Sequence, residues 1–286
     1  MKKERNSIKL IALDMDGTLL NQAGVLSRRN KAALEAAMEQ GIHVVIATGR
    51  VFSALPRDVT AVSGIEYAIT SNGANIVRLM DLKTIYSNLI LRSSVEKLLD
   101  IIGDPTIMTE VFFDHDVFAE KHCLDNLEAF GITAQKSKNY TLSTRRPVES
   151  VLDLIKSNES QLENINLIFS DQEKRAAVWK RLERMEDVTV TSSMPFNLEI
   201  GGATTSKASA MLHLAKLLGI GAAEIMACGD SENDLAMLEC AGLSVAMENA
   251  GRAVRERADF ITKSNAEDGV AYAVEQFALN RSMTGR

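Results

Sequence analysis

The chain has 286 residues, 46% hydrophobic and 24% charged, with a formal net charge of −6, an ordinary composition for a globular protein of one large or two modest domains. The acidic balance argues against a nucleic-acid binder, whose footprint is basic, and no window reaches the roughly 18 continuous apolar residues of a membrane span. Cys123, Cys228 and Cys240 are an odd set without paired spacing, which fits reduced thiols in a cytoplasmic, reducing compartment rather than a disulfide framework. The charged segment Met1–Lys9 does not resemble a signal peptide, and no repeat or low-complexity tract is visible.

In chain order, Ile8–Leu13 is a short aliphatic run, as expected of a strand buried on both faces. Ser27 is a candidate N-cap for a helix through Gln40, with Gly41 as its stop. His43–Ala47 reads as a second strand ending at Thr48-Gly49-Arg50, and Tyr67–Thr70 as a third ending at Ser71-Asn72-Gly73. Strands separated by helical stretches predict a parallel sheet with right-handed crossovers. The middle of the chain differs. Val111–Phe113 and Val117–Ala119 flank Asp114-His115-Asp116 as in a tight hairpin. Helical patterns follow at Lys121–Phe130 and, after Pro147, at Val148–Lys156. A strand at Asn166–Phe169, a helix over Gln172–Leu182 and strands at Val188–Ser192 and Asn197–Ile200 complete this part. Hairpins mixed with helices predict an α+β unit. Alternation then resumes: Ser206 caps a helix through Leu218, followed by strands at Glu224–Cys228, Leu243–Met247 and Phe260–Thr262 and a helix at Asp234–Cys240. The expected class is α/β: a Rossmann-like parallel-sheet core with helices on both faces (1–83 and 199–286), interrupted by an inserted α+β cap domain (84–198).

Four polar clusters end core strands or open core helices: Asp14-Met15-Asp16-Gly17-Thr18, Thr48-Gly49-Arg50, Lys207, and Gly229-Asp230-Ser231-Glu232-Asn233-Asp234. Parallel strands bring their carboxyl ends to one edge, so these clusters should converge. Asp14 and Asp16 would repel each other if unpaired. A divalent cation relieves that crowding, and hard oxygen ligands suit Mg²⁺. A nucleophilic carboxylate, a second acid, a hydroxyl, a lysine and a third acid together fit phosphoryl transfer through an aspartyl-phosphate.

On these residues the whole chain resembles the haloacid dehalogenase-like superfamily, and within it the Cof-type phosphatases, which carry a large α/β cap after the second motif. Asp-x-Asp-Gly-Thr paired with Gly-Asp-x-x-Asn-Asp carries the resemblance, and Ser71-Asn72-Gly73-Ala74 also matches the Cof-type pattern. The resemblance implies that Asp14 attacks phosphorus, while Asp16 protonates the leaving alkoxide, later activates water, and lends its backbone carbonyl to Mg²⁺. It implies that Thr48 and the Gly49 N–H hold the phosphoryl group and that Lys207 holds phosphate and offsets Asp14. Asp230 completes a metal site with Asp14 and Asp16. Asn233 contacts either phosphate or a metal-bound water, and Asp234 orients either Lys207 or the metal waters. One departure is Ala208, where members commonly have Gly after the lysine. The implied partner is a small phosphorylated metabolite such as a sugar phosphate, flavin mononucleotide or pyridoxal phosphate, with no nucleic acid and no membrane; oligomeric state is not specified. Two rival readings are a phosphomannomutase-like phosphotransferase and a non-catalytic phosphometabolite-binding protein.

Other polar residues have plainer readings. Arg50 is a substrate contact, a solvated arginine or a salt bridge to the sheet edge. His43, His115, His122 and His213 show no zinc-type spacing, and His115, in the cap hairpin, either faces the substrate or serves the exposed turn, the second being preferred. Cys228 reads as a small core residue, and Trp179 as a packing residue beside Leu182.

Overall fold

The computed structural model describes residues 7–158 and 162–279; residues 1–6 of the charged leading segment lie outside this range. The strands are β1 (Leu10–Leu13), β2 (His43–Ala47), β3 (Tyr67–Thr70), β4 (Asn75–Arg78), β5 (Lys83–Ser87), β6 (Ile107–Phe113), β7 (Asp116–Glu120), β8 (Arg145–Val148), β9 (Leu162–Phe169), β10 (Val188–Thr191), β11 (Asn197–Gly202), β12 (Ile225–Gly229), β13 (Leu243–Ala246) and β14 (Phe260–Ile261). They form an eight-stranded sheet in the order β14-β13-β12-β1-β2-β3-β4-β5 and a six-stranded sheet in the order β10-β11-β9-β6-β7-β8.

In the larger sheet, β1 pairs in parallel with both β2 and β12. Its four residues are fully buried, which explains an aliphatic run with no polar alternation. The helix Arg28–Glu39 covers this sheet, with Ser27 accepting from the Asn30 N–H as its cap. The sheet is not wholly parallel: β4 and β5 run antiparallel to their neighbours and extend the β3 edge. Adjacent antiparallel strands need only a tight turn, so this hairpin required no crossover helix. The expected split at 83/84 falls inside β5, which stays in the larger sheet to Ser87, and β11 carries the smaller sheet on to Gly202.

The smaller sheet is largely antiparallel and has its own apolar cluster, including Val95, Leu98, Val111, Ile165, Phe169 and Leu198. The predicted hairpin is β6–β7, turning at Asp114 and His115, both at positive φ. Strand β8, which contains Pro147, pairs in parallel with β7 at the sheet edge, where a missing N–H is tolerated. The single helix expected over Lys121–Phe130 is instead two short turns, Lys121–Leu124 and Leu127–Phe130. No helix among the described residues is long and apolar enough to cross a membrane.

Candidate active site

The carboxyl ends of β1, β2, β3 and β12 meet at one edge of the larger sheet, beneath the smaller one. After β1 the backbone turns back on itself, with the Leu19 N–H bonding to the Asp14 carbonyl (3.3 Å) and that of Leu20 to the Met15 carbonyl (2.9 Å). The turn relies on Gly17 at φ +85°, where a Cβ would sit 2.3 Å from Asp230 Oδ2. The loop after β2 is laced to the turn after β3: the Asn72 N–H donates to the Thr48 carbonyl (3.0 Å) and the Ser71 N–H to the Arg50 carbonyl (2.9 Å). Gly73, at φ +98°, lets that turn approach the helix Lys207–Leu217; a Cβ there would lie 2.1 Å from the Ser206 carbonyl oxygen.

Asp14 and Lys207 are 5% and 1% exposed, and Asp234 is fully buried. Lys207 Nζ donates to Asp14 Oδ1 and to Asp234 Oδ1, each at 2.7 Å. Asp234 Oδ2 accepts from the N–H groups of Asp230 and Ser231, both at 3.0 Å. Both oxygens of Asp234 are therefore committed, one to orienting the lysine and one to shaping the loop. Thr18 Oγ1 donates to Asp230 Oδ1 (2.9 Å). Asp14, Asp230 and Asp234 present oxygens within 4.8 Å of one another. Three acids crowd one lysine, Asp14 and Asp234 out of water and Asp230 partly so, and the protonation preferences follow. Burial first, then Asp234, holds the Asp14 carboxyl well above the ordinary carboxylate range despite Lys207. Burial first, then Asp234, pushes Asp230 up to about 6. Burial alone would lower Lys207, but Asp14 and Asp234 more than reverse this and keep it protonated.

Asp16 lies apart from that cluster. Its side chain is 54% exposed, and both its oxygens are held by Arg50, from Nε at 2.7 Å and from a terminal nitrogen at 2.6 Å. Arg50 is thus a salt-bridge residue, paired with the leading motif rather than a bare sheet edge. Thr48 is 1% exposed and its hydroxyl accepts from the Arg50 N–H (3.1 Å). Asn233 Nδ2 donates to Asn72 Oδ1 (3.1 Å), and its own Oδ1 is buried without a partner.

These residues open into a cavity of about 560 Å³ between the two sheets, whose far wall includes Phe112, Ile132, Tyr140, Ile168 and Phe196. The sequence gives no direct sign of how that wall is wired. Glu199, on β11, accepts from Asn72 Nδ2 (2.6 Å), Asn197 Nδ2 (3.0 Å) and Ser193 Oγ (2.5 Å). Glu110, on β6, is fully buried and accepts from Arg145 at 2.7 and 2.8 Å and from Asn166 Nδ2 at 2.9 Å. Glu163, on β9, accepts from Ser71 Oγ (2.6 Å) and from the His115 N–H (2.8 Å). The available signal was polar residues inside otherwise apolar strands, as in Leu162–Phe169, because such groups are buried only with partners. His115 also meets Thr84 Oγ1 at 3.0 Å, so the hairpin tip rests on the larger sheet.

The remaining candidates are structural. Burial pushes the Cys228 thiol up to about 12, in keeping with a core residue. Trp179 packs against the smaller sheet's apolar cluster. Among the described residues a second group of ligand-type side chains is Glu120, His122 and Cys123. There the imidazole itself stands between the Glu120 carboxylate and the Cys123 sulfur, 3.3 Å from each.

Comparison with known proteins identifies the family. The sequence profile of the haloacid dehalogenase-like hydrolases matches residues 11–274. The 5-amino-6-(5-phospho-D-ribitylamino)uracil phosphatase YcsE of Bacillus subtilis is 30% identical, over 98% of this chain and 99% of that protein. Phosphatase YwpJ of the same organism is 31% identical, over 94% and 99%. A haloacid dehalogenase-like hydrolase structure from B. subtilis superposes with a TM-score of 0.82 at 32% identity, covering 94% of this chain and 99% of that one. The chain belongs to the haloacid dehalogenase-like family and is a hydrolase.

Proposed function

We propose that the protein is a Mg²⁺-dependent phosphatase that hydrolyses small phosphorylated metabolites through an aspartyl-phosphate on Asp14. One observation carries this reading. Asp14 is buried at a strand end on the cavity floor, with Oδ1 fixed by Lys207 and Oδ2 left without a partner. An unpaired buried carboxylate oxygen is costly, and a bound cation or a reacting phosphorus removes that cost.

The donor set fits Mg²⁺: hard oxygens in net excess over the one lysine. Asp14 and Asp230, with the backbone carbonyl of Asp16, would hold it, and when bound it offsets the charge of the phosphoryl group. Asp234, with both oxygens engaged, serves as support. In the first step the Asp14 carboxylate attacks phosphorus, the ester P–O bond breaks, and the leaving oxygen takes its electron pair and a proton from Asp16. In the second, Asp16 removes a proton from water, which attacks the phosphoryl group, releases inorganic phosphate and restores Asp14. The Thr48 hydroxyl, Gly49 N–H, Lys207 and Asn233 hold the phosphoryl oxygens.

The inserted part of the chain acts as a cap that encloses the leaving group and excludes bulk water. The cavity volume suits sugar phosphates, flavin mononucleotide and pyridoxal phosphate alike. Three free thiols support a cytoplasmic, reducing setting. The test is phosphate release from a panel of such esters with and without Mg²⁺, for the native protein and Asp14→Asn. Mg²⁺-dependent release that Asp14→Asn abolishes is expected. Transfer to a second sugar without free phosphate would favour a mutase, and tight binding without turnover a non-catalytic binder.

A further inference from the structure

Tyr140, on the helix Gln135–Thr144 of the cap, carries two guanidinium groups over its ring: Arg50 at 4.6 Å and Arg145 at 4.9 Å from the ring centre. Each guanidinium is also forked onto a carboxylate. Arg50 grips Asp16 with two bonds, and Arg145 grips the buried Glu110 with two. The result is a continuous ladder, Asp16–Arg50–Tyr140–Arg145–Glu110, from the leading motif into the buried strand β6.

Asp16 is half-exposed, so packing alone does not fix its side chain; the Arg50 fork does. An arginine that fixes another group must itself be held. The larger sheet's side of the site supplies one hold, the Ala54 carbonyl at 3.0 Å, and the cap supplies the Tyr140 ring. Arg145 is a like charge close to Arg50, and the electron-rich ring attracts both cations where they would otherwise repel. Arg145 cannot drift, because Glu110 anchors it within the smaller sheet.

We propose that Tyr140 is a positioning residue for Asp16, acting through Arg50, so that proton transfer at the leaving group depends on the cap being seated. This rests on the reading of Asp16 as the proton donor, in which one Asp16 oxygen leaves the Arg50 fork to carry the proton while the other stays held. Phenyl phosphate and 4-nitrophenyl phosphate separate the two ideas. They are nearly equal in shape, but phenolate needs a proton on leaving far more than 4-nitrophenolate does. Tyr140→Leu should lower kcat/KM, which reports the steps up to loss of the alcohol and not the later hydrolysis that also uses Asp16, about tenfold on phenyl phosphate, a fraction of the roughly 10²–10⁴ that a general acid supplies, and by less than about twofold on 4-nitrophenyl phosphate. Tyr140→Phe keeps the ring and should stay within about twofold of native on both esters. Asp16→Asn should show the same selectivity in stronger form. Equal losses on both esters for Tyr140→Leu, or no loss, overturn the inference. If Asp16→Asn discriminates and Tyr140→Leu does not, the inference alone fails. If Asp16→Asn does not discriminate, the proton-donor reading fails and the inference with it.

Discussion

Lys207→Met keeps the length of the side chain and removes its charge. The ammonium is 1% exposed and 2.7 Å from both Asp14 Oδ1 and Asp234 Oδ1. The substitution leaves two carboxylates facing each other out of water, with Asp230 close by. Removing one partner of a buried ion pair costs about 3–5 kcal/mol. Here one cation serves two acids, so the upper part of that range, about 4–5 kcal/mol, is expected near neutral pH in metal-free buffer. Denaturant titration should show a lower midpoint at unchanged slope. Burial and Asp234 already raise Asp14 with the lysine present, and without it the protonated carboxyl is favoured further. A carboxyl whose folded pKa exceeds its unfolded value binds more protons folded than unfolded, so its contribution falls as pH rises through that window. The deficit should therefore be small near pH 4 and full near pH 8. Adding Asp234→Asn, which keeps an oxygen for the Asp230 and Ser231 N–H groups, should recover about half the loss. A deficit below about 1 kcal/mol at neutral pH, or one independent of pH, would refute a buried cluster held by this lysine.

Other outcomes follow from the same geometry. With Asp230 pushed up to about 6 by burial and Asp234, Mg²⁺ should raise the thermal midpoint strongly at pH 8 and little at pH 5, because proton and cation compete for the same oxygens; equal shifts would contradict a carboxylate site. Gly17→Ala places a Cβ 2.3 Å from Asp230 Oδ2 at φ +85°, so it should cost about 1–3 kcal/mol and weaken the Mg²⁺-induced shift in a thermal titration. Glu110→Leu alone strands the Arg145 charge in the smaller sheet and should cost about 3–5 kcal/mol, while the Glu110→Leu, Arg145→Met pair, which strands only the Asn166 amide donor, should cost about 1–3 kcal/mol in denaturant titration.

Elements with local signals were legible before the structure. His43–Ala47, Tyr67–Thr70 and Gln172–Leu182 are found with the bounds expected, because aliphatic runs mark the two strands; in the structure Asp171 caps the helix, accepting from the Glu173 and Lys174 N–H groups. The hairpin β4–β5 carries no such signal: its strands are short, and β5 is half-buried with exposed ends, so neither apolar periodicity nor length distinguishes them. The helix Gln135–Thr144 carries no local signal for a related reason, since Thr141 is its one buried residue and no apolar stripe forms, so nothing in the sequence marks Tyr140. At the site, the convergence of Asp14, Thr48, Lys207 and Asp230 followed from strand ends sharing one edge. The fork of Arg50 onto Asp16 joins the ends of the neighbouring strands β2 and β1, whereas the reach of Glu199 to Asn72 depends on how the two sheets face each other across the cavity, a long-range relation that local sequence does not encode.

The central claim is that Asp14 becomes covalently phosphorylated. The direct measurement is to mix the protein and Mg²⁺ with an ester bearing a radiolabelled phosphoryl group, quench in acid within one turnover, and map the label by peptide digestion. Label is expected on the peptide carrying Asp14, released by hydroxylamine as for an acyl phosphate, and absent in Asp14→Asn. Turnover with no label on that peptide, or undiminished phosphate release by Asp14→Asn, would contradict it.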